Sequence, residues 1–323
     1  PYLESLNAPL IAYPNVRFFD FLRGETVDVT ILSGGDPTLP NQKRRTINLG
    51  GTWSVQDKGR LTLSVDYTRT RNFNQISGLP PLNAEVQAAF SDRFVRDSQG
   101  RLIQVDSRPV SFAREERQQL RWGINLVRNF GKPTVRTAKR LGGGVAPAVA
   151  DDDGEVSFVQ PAGAKPWRLS LNASHTWTLK ATRLARVGLD TVDLLNGGAL
   201  GYGGGQPRHA LQFNANIGGK GVGMQTTGTW RAATTIRAGT LPSVGDLRYA
   251  ARAMIDLRVF ADLGRLAPDS ALAKGARISV NVRNILDSRQ RVTDRSGVTP
   301  LRYQPYLIDP LGRTVQVGLR EAF

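Results

Sequence analysis

Few residues of this 323-residue chain can do chemistry, and they are scattered. There is no Cys, which excludes disulfide staples, thiolate metal ligands and cysteine nucleophiles. The only histidines, His175 and His209, stand far apart in sequence, so a histidine-cluster metal site is not expected. No G-x-x-x-x-G-K-[ST] phosphate loop, H-E-x-x-H helix or G-x-S-x-G elbow is present. The Gly-rich run from Gly201 to Gly205 has no helix after it to complete a phosphate cradle. Asp151, Asp152 and Asp153 read as a solvated linker before they read as a cation site. Arg114, Glu115, Glu116 and Arg117 read as mutual ion pairs or solvated charges, and Asp262 and Asp269 have no supporting neighbours. Tyr202, Arg208 and His209 sit where a long loop meets a strand, the one place a ligand-contact loop is expected. Catalytic residues, metals and cofactors are not expected.

The net charge is +16, with a pI near 10.8. Lys and Arg are spread along the chain rather than gathered in blocks, and no nucleic-acid-binding motif accompanies them, so nucleic acid is not an expected partner. Phosphate-bearing lipid headgroups are the other anions such a surface meets. No apolar run is long enough for a membrane-spanning helix. Residue 1 is Pro and the only methionines are Met224 and Met254, so the sequence reads as a piece of a longer protein.

The elements that must position these residues announce themselves by strict alternation. Leu61, Leu63, Val65 and Tyr67 alternate with Thr62, Ser64, Asp66 and Thr68. Successive strand side chains point to opposite faces, so this is a strand with one apolar and one polar surface. The same phase recurs around Ile47–Val55, Leu120–Leu126, Trp167–Ala173, Leu211–Ile217, Ile278–Val282 and Val315–Leu319, and less regularly over Val222–Ala233 and Tyr249–Ala261. That predicts about nine strands of roughly ten residues, the length of a tilted strand crossing a bilayer. Two earlier segments, Val16–Phe21 and Thr26–Leu32, read either as a further strand or as a hairpin in a loop.

The connections alternate too. Gln56–Gly59 and Gly218–Gly221 are tight turns. Asn72–Glu116, Lys180–Arg208, Arg237–Leu247 and Asp287–Gly312 are long links on the opposite side. Short turns on one rim and long loops on the other are the pattern of an outer-membrane barrel. Asp262–Gly275 is moderately long for its side, and 131–166 is a long Gly-, Ala- and Pro-rich stretch read as a flexible insertion.

Periodicity cannot separate a soluble sandwich from a membrane barrel. Composition leans to the barrel, because the polar phase is rich in Thr, Ser, Asn, Gln and Arg, as a wet lumen would be. Trp53, Tyr67, Trp122, Phe130, Trp167, Trp177, Trp230 and Phe323 suggest interfacial girdles. Arg121, Arg168, Arg231, Arg252, Arg258 and Arg283 fall on the polar, lumen-facing phase. They are placed to attract an anionic ligand or to pair with carboxylates of a plug.

The C-terminal stretch from Arg277 to Phe323 resembles the end of a TonB-dependent outer-membrane receptor. Asn284, Ile285, Leu286 and Asp287 match the family's N-[LI]-[LF]-D motif near the end of the penultimate strand. A YQP and DPLGR approach and a last strand ending in Phe follow. Ser33–Trp53 and Gly203–Ile217 are similar to loop-to-strand stretches of the same family. Phe323, with Leu319, Val317 and Val315 alternating before it, is similar to the signal read by the barrel assembly machinery, although Glu321 departs from it.

The resemblance implies an all-β fold: an antiparallel transmembrane β-barrel segment, about nine or ten strands of a barrel of about 22, with long extracellular loops. Residues 1–43 would be an extracellular loop or partial-strand region, and 44–323 the C-terminal barrel portion. It further implies active uptake of a scarce nutrient, a bacterial outer-membrane location, and the TonB complex as partner through a plug that this sequence lacks. The barrel assembly machinery, membrane lipid and lipopolysaccharide would be the other partners. Two rival readings are a plugless channel or adhesin, closed by pairing the early segment with the Thr314–Phe323 strand, and a barrel enzyme needing a Ser/His/carboxylate set.

Overall fold

The structure, a computed structural model, describes residues 3–20, 22–57, 59–79, 84–131, 167–198, 205–237, 246–270 and 273–321. Its strands are β1 (Ile11–Asp20), β2 (Glu25–Ser33), β3 (Lys43–Gln56), β4 (Arg60–Ser77), β5 (Phe94–Arg96), β6 (Leu102–Asp106), β7 (Val110–Phe130) and β8 (Trp167–Leu184). They continue as β9 (Thr191–Asp193), β10 (His209–Gly219), β11 (Val222–Arg231), β12 (Thr234–Ile236), β13 (Leu247–Tyr249), β14 (Arg252–Asp262), β15 (Ala276–Arg283), β16 (Val292–Thr293) and β17 (Thr314–Glu321). Among the described residues no helix is long and apolar enough to cross a membrane.

Nine strands form one antiparallel meander in the order β3-β4-β7-β8-β10-β11-β14-β15-β17, with the short β9 beside β8. The fold is therefore all-β, and each regular window of alternation falls in a strand of this sheet; the less regular Val222–Ala233 overruns β11, and Tyr249–Ala261 begins in β13, outside the sheet, before entering β14. The expected length of roughly ten residues holds from β10 onward. It fails for β3, β4, β7 and β8, which run 14, 18, 21 and 18 residues. Their extra length lies in charged sequence, where the alternation is no longer apolar against polar.

Turn chemistry sets the register. Lys220 and Gly221 both have positive φ, 52° and 87°, the conformation of a two-residue hairpin whose twist matches the strands. The Asp57 N–H donates to the Gly59 carbonyl at 3.1 Å between β3 and β4. The β10–β11 and β3–β4 connections lie on one rim; the β4–β7, β8–β10, β11–β14 and β15–β17 connections lie on the other. The insertion read at 131–166 lies almost wholly outside the described residues.

The link read as Asn72–Glu116 is not a plain loop. Its ends belong to β4 and β7, and its middle folds with the early segment. β1, β2, β6 and β5 make a separate four-stranded sheet, with β2 and β6 parallel. This sheet carries a buried apolar cluster of Val27, Val29, Val86, Phe90, Phe94, Leu102, Val105, Val110, Phe112 and Ala185. Phe90 meets Phe112 edge-on, with ring centroids 5.7 Å apart. The early pair thus resolves as a hairpin on the long-loop side. It does not pair with β17, so the closure that a small self-contained barrel needs is not formed among the described residues.

Candidate functional site

Directly opposed residues of an antiparallel pair share a face, so the register sorts every side chain of the main sheet. Leu49, Tyr67, Leu120, Trp177 and His209 form one row across β3, β4, β7, β8 and β10. Val65, Trp122, His175, Leu211 and Trp230 form the next. Further rows contain Leu63, Ile124, Ala173 and Phe213, then Leu61, Leu126, Leu171, Ala215, Leu257, Val282 and Val315. All lie on one face.

Nothing covers that face among the described residues. Its large apolar side chains are half-buried or exposed, with Leu49 at 64%, Trp53 at 59%, Val65 at 51% and Val317 at 67%. A soluble sandwich would have buried them. Nine strands about 4.8 Å apart make an apolar face roughly 40 Å wide; at a height of about 26 Å it covers on the order of 1,000 Å², beyond the few hundred Å² that soluble monomers leave open. The band is also bounded in height. Tyr67, Trp122 and Trp177 mark its upper edge, and Phe130 stacked on Trp167 at 6.4 Å marks its lower edge. From Leu120 to Phe130 a strand rises about 34 Å, or about 26 Å when tilted as barrel strands are. That equals the hydrocarbon-facing band of a membrane barrel. At the upper edge the aromatics do not end strands, because β4, β7 and β8 continue past Tyr67, Trp122 and Trp177; at the lower edge Phe130 ends β7 and Trp167 begins β8.

The opposite face carries the polar phase. Arg121, Arg168, Arg231, Arg252, Arg258 and Arg283 occupy it by register. Arg121 donates to the Ser174 hydroxyl at 3.2 Å. Arg252 is held by the chain itself, donating to the Asp309 carboxylate at 2.7 Å and the Ser288 carbonyl at 2.9 Å. Arg231 stands directly across from Arg252. The two line a cleft of about 250 Å³ near the long-loop rim, together with Thr229, Tyr249, Met254 and Gln290. Arg231 presents a guanidinium to this cleft, while Arg252 is already paired with Asp309 and the Gln290 amide donates to the Ala250 and Arg291 carbonyls at 3.0 and 3.2 Å. Gln290 comes from a long link, which carries no periodicity, and Tyr249 from the start of a less regular alternating window, so neither was singled out from the sequence.

Tyr202, Arg208 and His209 do not form one site. Tyr202 lies outside the described residues. Arg208 donates to Asn196 at 3.4 Å in the loop. His209 is on the lipid-side face, stacked on Trp177 at 5.8 Å. There it meets the chain's other histidine: His175 Nε2 and His209 Nδ1 are 3.2 Å apart. The two histidines, distant in sequence, are diagonal neighbours across β8 and β10. Among the described residues no cluster of three or more His, Asp or Glu side chains could hold a metal, and the histidines hydrogen-bond to each other.

The Asn284–Asp287 motif is a strand-closing turn. Asn284 and Asp287 both adopt left-handed φ, 50° and 49°. Asn284 is buried; its backbone N–H donates to Asp256 at 2.7 Å, and its side chain exchanges hydrogen bonds with Ser288, at 3.0 and 2.9 Å. Asp287 accepts the Arg313 N–H at 2.8 Å, fixing where β17 begins. Ile285 and Leu286 supply backbone to the turn, with the Ile285 N–H bonded to the Ile255 carbonyl at 2.8 Å. Of the terminal signal, Val315, Val317 and Leu319 share the lipid-side face with Val282, Val280 and Ile278, and Phe323 lies outside the described residues.

The fold class these observations define is an antiparallel membrane-barrel wall. No known family profile matches the chain, and no curated protein does. Similar solved structures include two mutants of the ferric enterobactin receptor of Pseudomonas aeruginosa, the second in complex with enterobactin. The first is 14% identical over 91% of this chain and 33% of its own, with a TM-score of 0.47. The second is 13% identical over 99% and 36%, at 0.48. The chain spans about a third of the length of these receptors.

Proposed function

We propose that this chain is the C-terminal barrel portion of an outer-membrane, TonB-dependent active transporter that takes up a scarce nutrient. The observation that carries the membrane part is the uncovered apolar band, about as tall as a bilayer core and edged by aromatics. The transporter part rests on the Asn284–Asp287 turn, the order of the strand-start stretches and the open edges of the sheet. β3 pairs only with β4 and β17 only with β15 among the described residues. Lipid does not tolerate such edges, so the remaining strands of a larger barrel would cover them. Phe323 and the alternating residues before it would address the chain to the barrel assembly machinery. The nutrient class, whether siderophore, vitamin or saccharide, is open.

The test is uptake and location together. The intact protein is expected in the outer-membrane fraction, and its gene is expected to support nutrient-limited growth only when TonB is present. A soluble protein would overturn the membrane reading. Growth support independent of TonB would overturn the active-transport reading and favour a passive channel.

A further inference from the structure

The chain has two histidines, on strands joined by a long link, and the register of β8 and β10 brings them together. His209 shares the upper aromatic row with Tyr67 and Trp177, and His175 the next row with Trp122 and Leu211. Trp122 meets His175 edge-on, with ring centroids 5.3 Å apart, and Trp177 lies over His209 at 5.8 Å. Both imidazoles are half-buried, and the two tryptophans hold them from either side. Higher on the same face, charged side chains find partners of opposite sign: Glu116 accepts from Arg69 at 2.7 Å, Arg71 at 3.2 Å and Lys180 at 3.2 Å. No carboxylate completes a set of three around the histidines among the described residues.

The ring centroids of His175 and His209 are 5.3 Å apart with planes 10° apart, while His175 Nε2 and His209 Nδ1 are 3.2 Å apart. The two nitrogens therefore lie between the rings and point at each other. A neutral imidazole has one N–H and one lone pair, so the facing nitrogens hold a single proton, donated by one ring and accepted by the other. His175 Nδ1, on the far side of its ring, is buried with no hydrogen-bond partner among the described residues. Packing alone does not account for this pair, because an apolar side chain would fill a site among Leu and Trp without burying an unpaired nitrogen. The pair's geometry is set by the register of β8 and β10 and holds whatever the chain transports.

We propose that His175 Nε2 and His209 Nδ1 together bind one divalent transition-metal ion of the zinc and copper class. Imidazole suits these ions better than it suits magnesium or calcium, and the chain has no thiolate to compete. An ion about 2.0–2.1 Å from each nitrogen, across a gap of 3.2 Å, subtends about 100°, close to the tetrahedral angle. Each ring tilts off the line between the nitrogens to aim its lone pair at the ion. The proton held between the nitrogens moves to the outer nitrogen of its own ring, so both rings stay neutral and both facing lone pairs go to the metal. Water takes the remaining positions of the ion, which makes this an open site with two protein ligands. Bound there, the ion ties β8 to β10 where the 185–208 link leaves the sheet.

The test uses the intact, tag-free protein in detergent, stripped with a chelator and titrated separately with Zn²⁺, Cu²⁺ and Mg²⁺. One Zn²⁺ or one Cu²⁺ is expected to bind per chain, Cu²⁺ the more tightly, with no binding of Mg²⁺. Cu²⁺ is expected to quench part of the tryptophan fluorescence, because Trp122 and Trp177 border the pair. His175→Gln and His209→Gln are each expected to weaken binding by about tenfold or more, since either removes one of two ligands. Hydrogen exchange of the unsubstituted protein needs no variant: Zn²⁺ is expected to slow amides along the β8–β10 pairing and to leave β14 and β15 unchanged. Failure to bind Zn²⁺ or Cu²⁺, binding that survives both substitutions together, or protection spread evenly over the sheet would overturn the site.

Discussion

Arg96 donates two parallel hydrogen bonds to the Asp20 carboxylate, at 2.7 and 2.8 Å, joining strands 76 residues apart. Asp20 has no exposed surface and also accepts from Gln87 at 2.8 Å. This fork, with the cluster around Phe90 and Phe112, is what makes the early hairpin part of a folded sheet. Removing one partner of a buried charge pair costs about 3–5 kcal/mol, because the other charge stays desolvated. Asp20→Ala is therefore expected to open β1, β2, β5 and β6 in hydrogen exchange while leaving the protection of β8 to β11 unchanged. Equal loss across both sheets would show that they unfold as one unit.

The same sheet should be acid-sensitive. The Arg96 guanidinium holds the Asp20 carboxyl well below the usual carboxylate range, against burial, which pushes it up. Asp36 and Asp106 are also burdened by burial, yet hydrogen bonds from Thr38 and Arg93, and from Arg108, leave both lowered. A carboxyl whose folded value is depressed contributes stability above its unfolded value, about 3.9, and loses it as pH falls toward the folded one. Exchange of β1 and β2 amides, corrected for intrinsic rate, is expected to accelerate below about pH 4. Asp20→Asn should flatten that dependence.

The two faces of β4 provide a sharp contrast. Leu63 lies on the lipid-side face and Ser64 on the polar one. Near the middle of a hydrocarbon band an Arg costs about 2–4 kcal/mol, while lumen positions tolerate it. Leu63→Arg is expected to lower the stability of the vesicle-folded protein by that amount and Ser64→Arg by much less. Were both faces of this sheet open to water, both would be surface changes within about 0.5 kcal/mol, so similar urea midpoints would contradict the barrel wall.

Asn284 is a structural residue by its contacts. Asn284→Ala deletes the exchange with Ser288 and forces Ala into a left-handed φ, for a combined cost of about 2–3 kcal/mol. Asn284→Gly keeps the conformation accessible and should be milder by about 1 kcal/mol. If the two variants unfold alike, the left-handed turn is not what selects Asn there.

On β11, two glycines are each covered by an aromatic ring of a neighbouring strand. Phe213 lies over Gly228 on the lipid-side face, and Phe260 over Gly223 on the polar face. A side chain at Gly228 would collide with the Phe213 ring, so Gly228→Val is expected to impair assembly, and adding Phe213→Ala should restore part of it. Failure of that rescue would mean that Gly228 is needed for its backbone alone.

The alternation of apolar and polar residues was readable because it is local. A strand of period two declares itself within eight residues, and so do its faces and its tight turns. That is why nine strands, their phase and the polar placement of the six arginines were legible. Where the lipid-side face turns charged, as at Arg69 and Arg71, the contrast vanished and β4 and β7 looked shorter than they are. The contacts of Asn284 were hidden as well, although its motif was visible, because Asp256 and Ser288 reach it through a turn.

Sequence alone determined an antiparallel, two-faced sheet with long links on one rim. Only the tertiary structure decided that the apolar face is left uncovered, that the early hairpin joins residues 94–106 in a second sheet, and that His175 meets His209 while Glu116 gathers Arg69, Arg71 and Lys180. Each of these depends on register between strands distant in sequence. Register is fixed by turns, bulges and packing over the whole sheet, and the pattern within any one strand contains no record of its partner.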